Sequence, residues 1–141
     1  MRFFVVLIFV TCLFTACDKK PAFKQAVFNG ISAEISVKNL LDKQPEFYSV
    51  NIEGRNINFF VVLIKGEVQS YFNACITCAP KKLGFRAKDG YVTCGACNVS
   101  YPVDSLKDGI GNCFPIKLKG TRADDKYVLK KEDLMEGWKY F

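Results

Sequence analysis

The sequence predicts a mainly β fold, with antiparallel strands followed by a cysteine-rich module of two metal-binding knuckles and little helix beyond a short terminal one. Three observations carry this. Ala33, Ile35 and Val37 alternate with Glu34, Ser36 and Lys38, the period of a strand buried on one face. Glycine-bearing pairs such as Lys65-Gly66 and Asp89-Gly90 punctuate the apolar runs, as tight turns do. Finally, Cys75-Ile76-Thr77-Cys78 is followed after fifteen residues by Cys94-Gly95-Ala96-Cys97, and fifteen residues later by Cys113.

The chain begins with Met1-Arg2 and an apolar run over residues 3–14, too short to span a bilayer and suited to a secretory signal. Thr15-Ala16-Cys17 then resembles the processing site of bacterial lipoproteins, with Cys17 as the acylated residue. Asp18 after the cysteine resembles an inner-membrane retention signal, which predicts a lipid-anchored protein of the bacterial envelope facing the periplasm. The expected organisation is a signal peptide over 1–16, a polar tether over 17–25 and a single β-rich domain over 26–141, with its metal module at 75–118.

Within the domain, residues 33–37 and 47–52 read as strands, and the apolar run 57–64 reads as a central one. Residues 67–74 form the return arm of a hairpin that ends at Cys75, so the sheet places the first knuckle. Residues 85–87 and 91–93 flank an Asp-Gly turn and lead into Cys94. Short strands are expected around Ile116 and Leu118 and over 127–129, with a helix over 131–137. Phe72, Phe85, Tyr91, Tyr101 and Phe114 surround the cysteines in sequence.

A two-residue spacer lets the backbone turn so that both sulfurs of a C-x-x-C pair face one ion. Two such pairs supply a tetrahedral four-sulfur shell with metal–sulfur distances of about 2.3 Å for zinc. The expected metal ligands are therefore Cys75, Cys78, Cys94 and Cys97. Cys113 is a further cofactor-binding candidate that arrives alone. Zinc, a single iron and an iron–sulfur cluster all accept such a set. Five thiols cannot all pair within one chain, and two disulfides plus a free thiol is the competing chemistry of an oxidising compartment. Lys88-Asp89-Gly90 and Lys107-Asp108-Gly109 also stand at equal distances from their knuckles, which suggests a nineteen-residue repeat.

Composition narrows the function classes. The 141 residues include no His, which excludes mixed Cys/His fingers, Rieske and His-ligated haem centres, and His-based nucleophilic catalysis. Hydrophobic content of 50% and thirteen Phe argue for a folded chain, and the length suits one domain. The net charge is +6, with seven basic and three acidic residues between Cys75 and Lys119. Those cations offset the charge of −2 that four thiolates give a divalent ion, so they do not call for nucleic acid.

The run Tyr71-Phe72-Asn73-Ala74-Cys75-x-x-Cys78, followed by Val92-Thr93-Cys94-x-x-Cys97, Tyr101-Pro102 and Gly111-Asn112-Cys113-Phe114-Pro115-Ile116, resembles the C-terminal domain of the FtrD-like iron–sulfur membrane proteins. The resemblance implies an iron–sulfur cofactor on Cys75, Cys78, Cys94 and Cys97. It also implies electron transfer or iron handling beside an iron permease and a periplasmic iron-binding protein. The chain departs from the family pattern at Asn73, Asn98 and Asn112, where Asp, Gly and Gly are usual. Asn tolerates left-handed backbone, so the turns can persist. In place of the family's multi-helix membrane part this chain has the expected lipid anchor. Two other functions fit the residues: a structural four-cysteine zinc adaptor, and a periplasmic thiol–disulfide protein, which is disfavoured because no βαβ pattern brackets either C-x-x-C.

Overall fold

The computed structural model describes residues 20–141, so the expected signal segment, Cys12 and Cys17 lie outside the described residues. The chain runs through β1 (Lys24–Gln25), β2 (Val27–Phe28), β3 (Ser32–Ser36), β4 (Glu46–Ile52), β5 (Arg55–Ile64) and β6 (Glu67–Cys75). It continues through β7 (Phe85–Lys88), β8 (Tyr91–Cys94), β9 (Ser100–Pro102), β10 (Pro115–Leu118), β11 (Thr121–Ala123), β12 (Lys126–Lys130) and the five-residue helix α1 (Lys131–Met135). Three sheets result, in the orders β1-β4-β5-β6-β10, β11-β12-β3-β2 and β7-β8-β9. The mainly β expectation holds.

β5 lies at the middle of the five-stranded sheet, and both of its faces are covered. Ile57, Phe59 and Val61 point into one core, and Phe60, Val62 and Ile64 into another. A strand buried on both sides needs no polar alternation, which explains why residues 57–64 read as one continuous apolar run. In the first core this face meets Ala33 and Ile35 of β3, Tyr127 and Leu129 of β12, and Leu134 of α1. In the second it meets Phe85, Val92 and Tyr101 of the three-stranded sheet, together with Cys75, Cys94 and Cys113. Phe72 belongs to the first core, so that ring packs away from the cysteines, while Tyr91 is half exposed.

Backbone twist at the hairpins follows the residue choice. Glu53-Gly54, Lys65-Gly66 and Asp89-Gly90 each place two consecutive residues at positive φ, between 50° and 83°. This is the primed turn that matches the right-handed twist of the paired strands. The second Lys-Asp-Gly behaves differently. It follows a 3-10 turn over Val103–Ser105, the Gly109 amide donates to the Ser105 carbonyl at 3.2 Å, and no hairpin forms there. The equal spacing of the two tripeptides is therefore not a structural repeat.

Two further points bear on the core. Buried Ser70 donates its hydroxyl to the Leu118 carbonyl at 2.8 Å and lies 3.1 Å from the Tyr127 hydroxyl, joining β6 to β10 and β12. Lys24 and Gln25, within the expected tether, already pair in parallel with Tyr48 and Ser49 of β4. Phe23 beside them sets its ring edge-on against Phe47.

Candidate metal centre

Strand alternation delivers the first sulfur. Tyr71 and Cys75 point into the second core while Phe72 and Ala74 point into the first, so β6 ends with its last side chain on the cysteine side. The chain then turns through Ile76 and Thr77 to Cys78 and a 3-10 turn, Ala79–Lys81, whose Pro80 sits where an amide is not needed. Lys82 and Gly84 reverse the direction at φ 52° and 58°. At Gly84 a Cβ would collide with the Asn73 side chain, whose Oδ1 accepts the Phe85 amide at 2.7 Å. That bond ties β7 to β6. At position 73, where the resemblance leads one to expect Asp, Asn supplies an uncharged acceptor.

The second knuckle hangs from β8. Cys94 pairs with Phe85 in the β7–β8 ladder, and its carbonyl accepts the Asn98 amide at 2.9 Å. Gly95 donates to the Gly84 carbonyl at 2.8 Å, and a Cβ there would strike the Leu83 carbonyl. Asn98 takes φ 58°, so it substitutes for glycine in the left-handed region. Asn112 does not adopt positive φ; its neighbour Gly111 does, at 60°.

Cys113 reaches the site through a third loop. Ile110 and Cys113 exchange two backbone hydrogen bonds at 3.1 Å, and Pro115 stands opposite Cys75 in the β10–β6 ladder. The Ile76 amide donates to the Phe114 carbonyl at 3.1 Å, and the Thr77 hydroxyl donates to the Asn112 carbonyl at 2.5 Å. A few hydrogen bonds thus link the first loop to each of the other two.

The sulfurs of Cys75, Cys78, Cys94 and Cys113 all lie within 4.8 Å of one another, and three of the four residues are buried. Cys113 Sγ is 3.4 Å from Cys75 Sγ and 3.2 Å from Cys97 Sγ. Cys97 is exposed and stands outside the compact four. All five cysteines expected to bind a cofactor converge on one region, with Cys113 inside the tight set and Cys97 at its edge.

A tetrahedral shell with metal–sulfur bonds of about 2.3 Å has sulfur–sulfur edges of about 3.8 Å. The four sulfurs fit such a single-ion shell with small adjustments. A polynuclear cluster inserts several iron and sulfide atoms among its thiolates and needs them farther apart. The donor set is that of zinc, iron or an iron–sulfur centre.

Electrostatics within the group divides the thiols. Burial raises Cys113, and its hydrogen-bond contacts with Cys97 and Cys75, in which it keeps the proton, raise it further. Burial also raises Cys78, to about 12, with the Cys75 contact adding to it. Burial pushes Cys75 the same way, but the amides of Cys78 and Thr77 and the Cys113 thiol outweigh it and lower its pKa. The Val99 amide leads the stabilisation of a Cys97 thiolate, which titrates at about 7. Buried Tyr101 holds its hydroxyl 3.8 Å from Cys113 Sγ and is raised mainly by burial. A bound ion would override this order, since coordination would remove the proton from each ligand thiol.

A model of a family described as membrane iron–sulfur-containing protein, FtrD-like, matches residues 40–141. The chain belongs to the FtrD-like family. No curated protein and no solved structure matches it. The match covers every strand from β4 onward and all five site cysteines, which supports a metal-binding protein. The FtrD-like family is named as a membrane one; among the described residues no helix is long and apolar enough to cross a membrane.

Proposed function

We propose that this FtrD-like chain is an envelope protein, lipid-anchored through Cys17, that holds a thiolate-bound iron centre and serves electron transfer or iron handling beside an iron permease and a periplasmic iron-binding protein. The observation that carries the metal part is the convergence of Cys75, Cys78, Cys94 and Cys113 within 4.8 Å. Family membership favours iron over other ions. Bound iron would supply one-electron exchange at these sulfurs.

The chain's own residues suit that role. Phe85, Tyr101 and Phe60 form a buried aromatic wall on one side of the cysteines and exclude water there. The other side is open: a cavity of about 190 Å³ reaches Cys75, Cys78 and Cys94 past Lys20, Lys82 and Leu83. A partner approaching by that route meets partly exposed Cys78 first, with Cys75 and Cys94 buried behind it. Lys20 and Lys82 line that opening and would offset the negative charge of a four-thiolate centre.

A second reading, a structural zinc site in an adaptor protein, is favoured by the compactness of the four sulfurs, which suits one closed-shell ion. Anaerobic purification from membranes, with metal analysis and electron paramagnetic resonance, separates the two. Iron with a coloured, redox-active spectrum is the expected result. One equivalent of zinc in a colourless protein sinks the redox proposal. For the anchor, Cys17→Ser should leave a heavier unprocessed precursor, and a wild-type protein that takes up no labelled fatty acid refutes lipidation.

A further inference from the structure

The sulfur geometry leaves one thiol too many for a single ion, and the surplus is placed asymmetrically. Cys113 is buried and belongs to the compact set; Cys97 is exposed, outside it, and only 3.2 Å from Cys113 Sγ. Cys97 also shares a C-x-x-C loop with buried Cys94, a spacing that can bring both sulfurs onto one ion. Two cysteines from two different loops thus stand side by side at one corner of the site, one inside the compact set and one at its exposed edge.

We propose that Cys97 and Cys113 are alternative ligands at that position, exchanging while Cys75, Cys78 and Cys94 stay bound. This rests on the reading of the site as a metal centre. The resting shell is Cys75, Cys78, Cys94 and Cys113. When Cys97 replaces Cys113, one metal–sulfur bond forms and one breaks. The proton leaving the Cys97 thiol is matched by one taken up at Cys113, and no oxidation state changes. The loops suit the movement. Cys97 needs only to turn its side chain inward from solvent. Cys113 is carried by a loop with Gly109 and Gly111 at φ 61° and 60°, next to a register irregularity between Pro115 and Lys117.

The consequence is a route for thiophilic cations. An ion that gains Cys97 before losing Cys113 exchanges a buried fourth ligand for one that can swing back to solvent, without dropping below four ligands. A thiolate of an incoming partner can take up the same position. Cys97 is thereby the transfer ligand, and Cys113 the resting one.

The test uses the full chain loaded with zinc, treated with N-ethylmaleimide under native conditions and mapped by peptide mass spectrometry, which reports each thiol separately. In wild type the expected result is modification at Cys97, slowly enough to follow, with Cys75, Cys78, Cys94 and Cys113 protected and zinc retained. In Cys113→Ser, zinc is retained and Cys97 becomes protected. In Cys97→Ser, zinc is retained but its loss to excess chelator slows at least several-fold. The double variant loses zinc. Zinc loss from either single variant overturns exchange, as does modification of Cys113 in wild type or protection of all five thiols there. A wild-type protein that binds no zinc, iron or other metal overturns the underlying metal reading instead, so the two failures are distinct.

Discussion

The two cores on either side of β5 are built by different physics. The first is an ordinary sandwich interior: Ile57, Phe59 and Val61 face Ala33, Ile35, Leu129 and Leu134, and its buried hydroxyls are partnered, Tyr127 with Ser70 and Ser70 with the Leu118 carbonyl. The second shares the same strand and has a comparable aromatic lining. Its outer wall, however, is three short strands and three loops whose apices carry sulfur. Burial of apolar surface can hold the first half alone. The second has too little regular backbone for that, and its loops need a cross-link. The contrast teaches where metal dependence should stop: at the plane of the five-stranded sheet.

Metal removal is the sharpest way to break this comparison. Structural zinc in small modules contributes apparent stabilisation on the order of 10 kcal/mol. Chelation should therefore abolish hydrogen-exchange protection over residues 78–114 while β3, β4, β5 and β12 stay protected. Equal protection of both halves in metal-free protein would show that apolar packing suffices on the cysteine side too.

Next in size are two neighbouring truncations on opposite faces. Phe59→Ala and Phe60→Ala each remove a fully buried ring and should each cost about 3–5 kcal/mol in denaturant unfolding. Only Phe60→Ala, which deprives Tyr71 and Phe85 of a ring partner, should also speed metal loss to a chelator. If Phe59→Ala does so equally, the two cores are not separable.

A smaller change confined to the first core is Ser70→Ala. The Leu118 carbonyl and Tyr127 hydroxyl lose a buried partner, for a destabilisation of about 1–3 kcal/mol, without any change in metal affinity. Urea melts and a chelator competition on the same sample check both halves of that statement.

The smallest effect is a pH dependence in metal-free protein. The Cys97 pKa falls from 9.0 to about 7, so the folded state favours its thiolate. Its stabilising contribution is present above pH 9 and is lost as pH falls through 7. Because the side chain is exposed, the change should be slight in stability and plain in reactivity. Iodoacetamide modification of Cys97 should rise with a midpoint near pH 7, well below that of Cys78. A midpoint at the ordinary thiol value would remove the role of the Val99 amide.

The long strands were legible because each has a face to bury: β3 alternates, β4 buries Phe47 on one face and Tyr48, Val50 and Ile52 on the other, and the run 57–64 of β5 is almost wholly apolar because both its faces are covered. The two- and three-residue strands β1, β2, β9 and β11 were not, since a strand that short has no period to detect. At the site, the C-x-x-C pairs announced themselves by spacing, whereas the place of Cys113 depends on a ladder between residues forty apart, Pro115 opposite Cys75. The apolar Phe114-Pro115-Ile116 directly after Cys113 was the available hint that a strand begins there and carries the sulfur back. Equal spacing misled at the second Lys-Asp-Gly, because a turn tripeptide takes its geometry from the elements that flank it.

That Cys75 closes β6 has a kinetic meaning. Its position is set by the sheet, which the first core stabilises independently of the loops. A newly made chain therefore presents one fixed sulfur while the other loops have yet to settle. Once an ion is held at Cys75, every further thiol meets it at the effective concentration of a tethered group, in the millimolar range for a short flexible connection. Assembly becomes a sequence of intramolecular captures started from a single anchored point. Scarcity of free metal then limits only the first encounter.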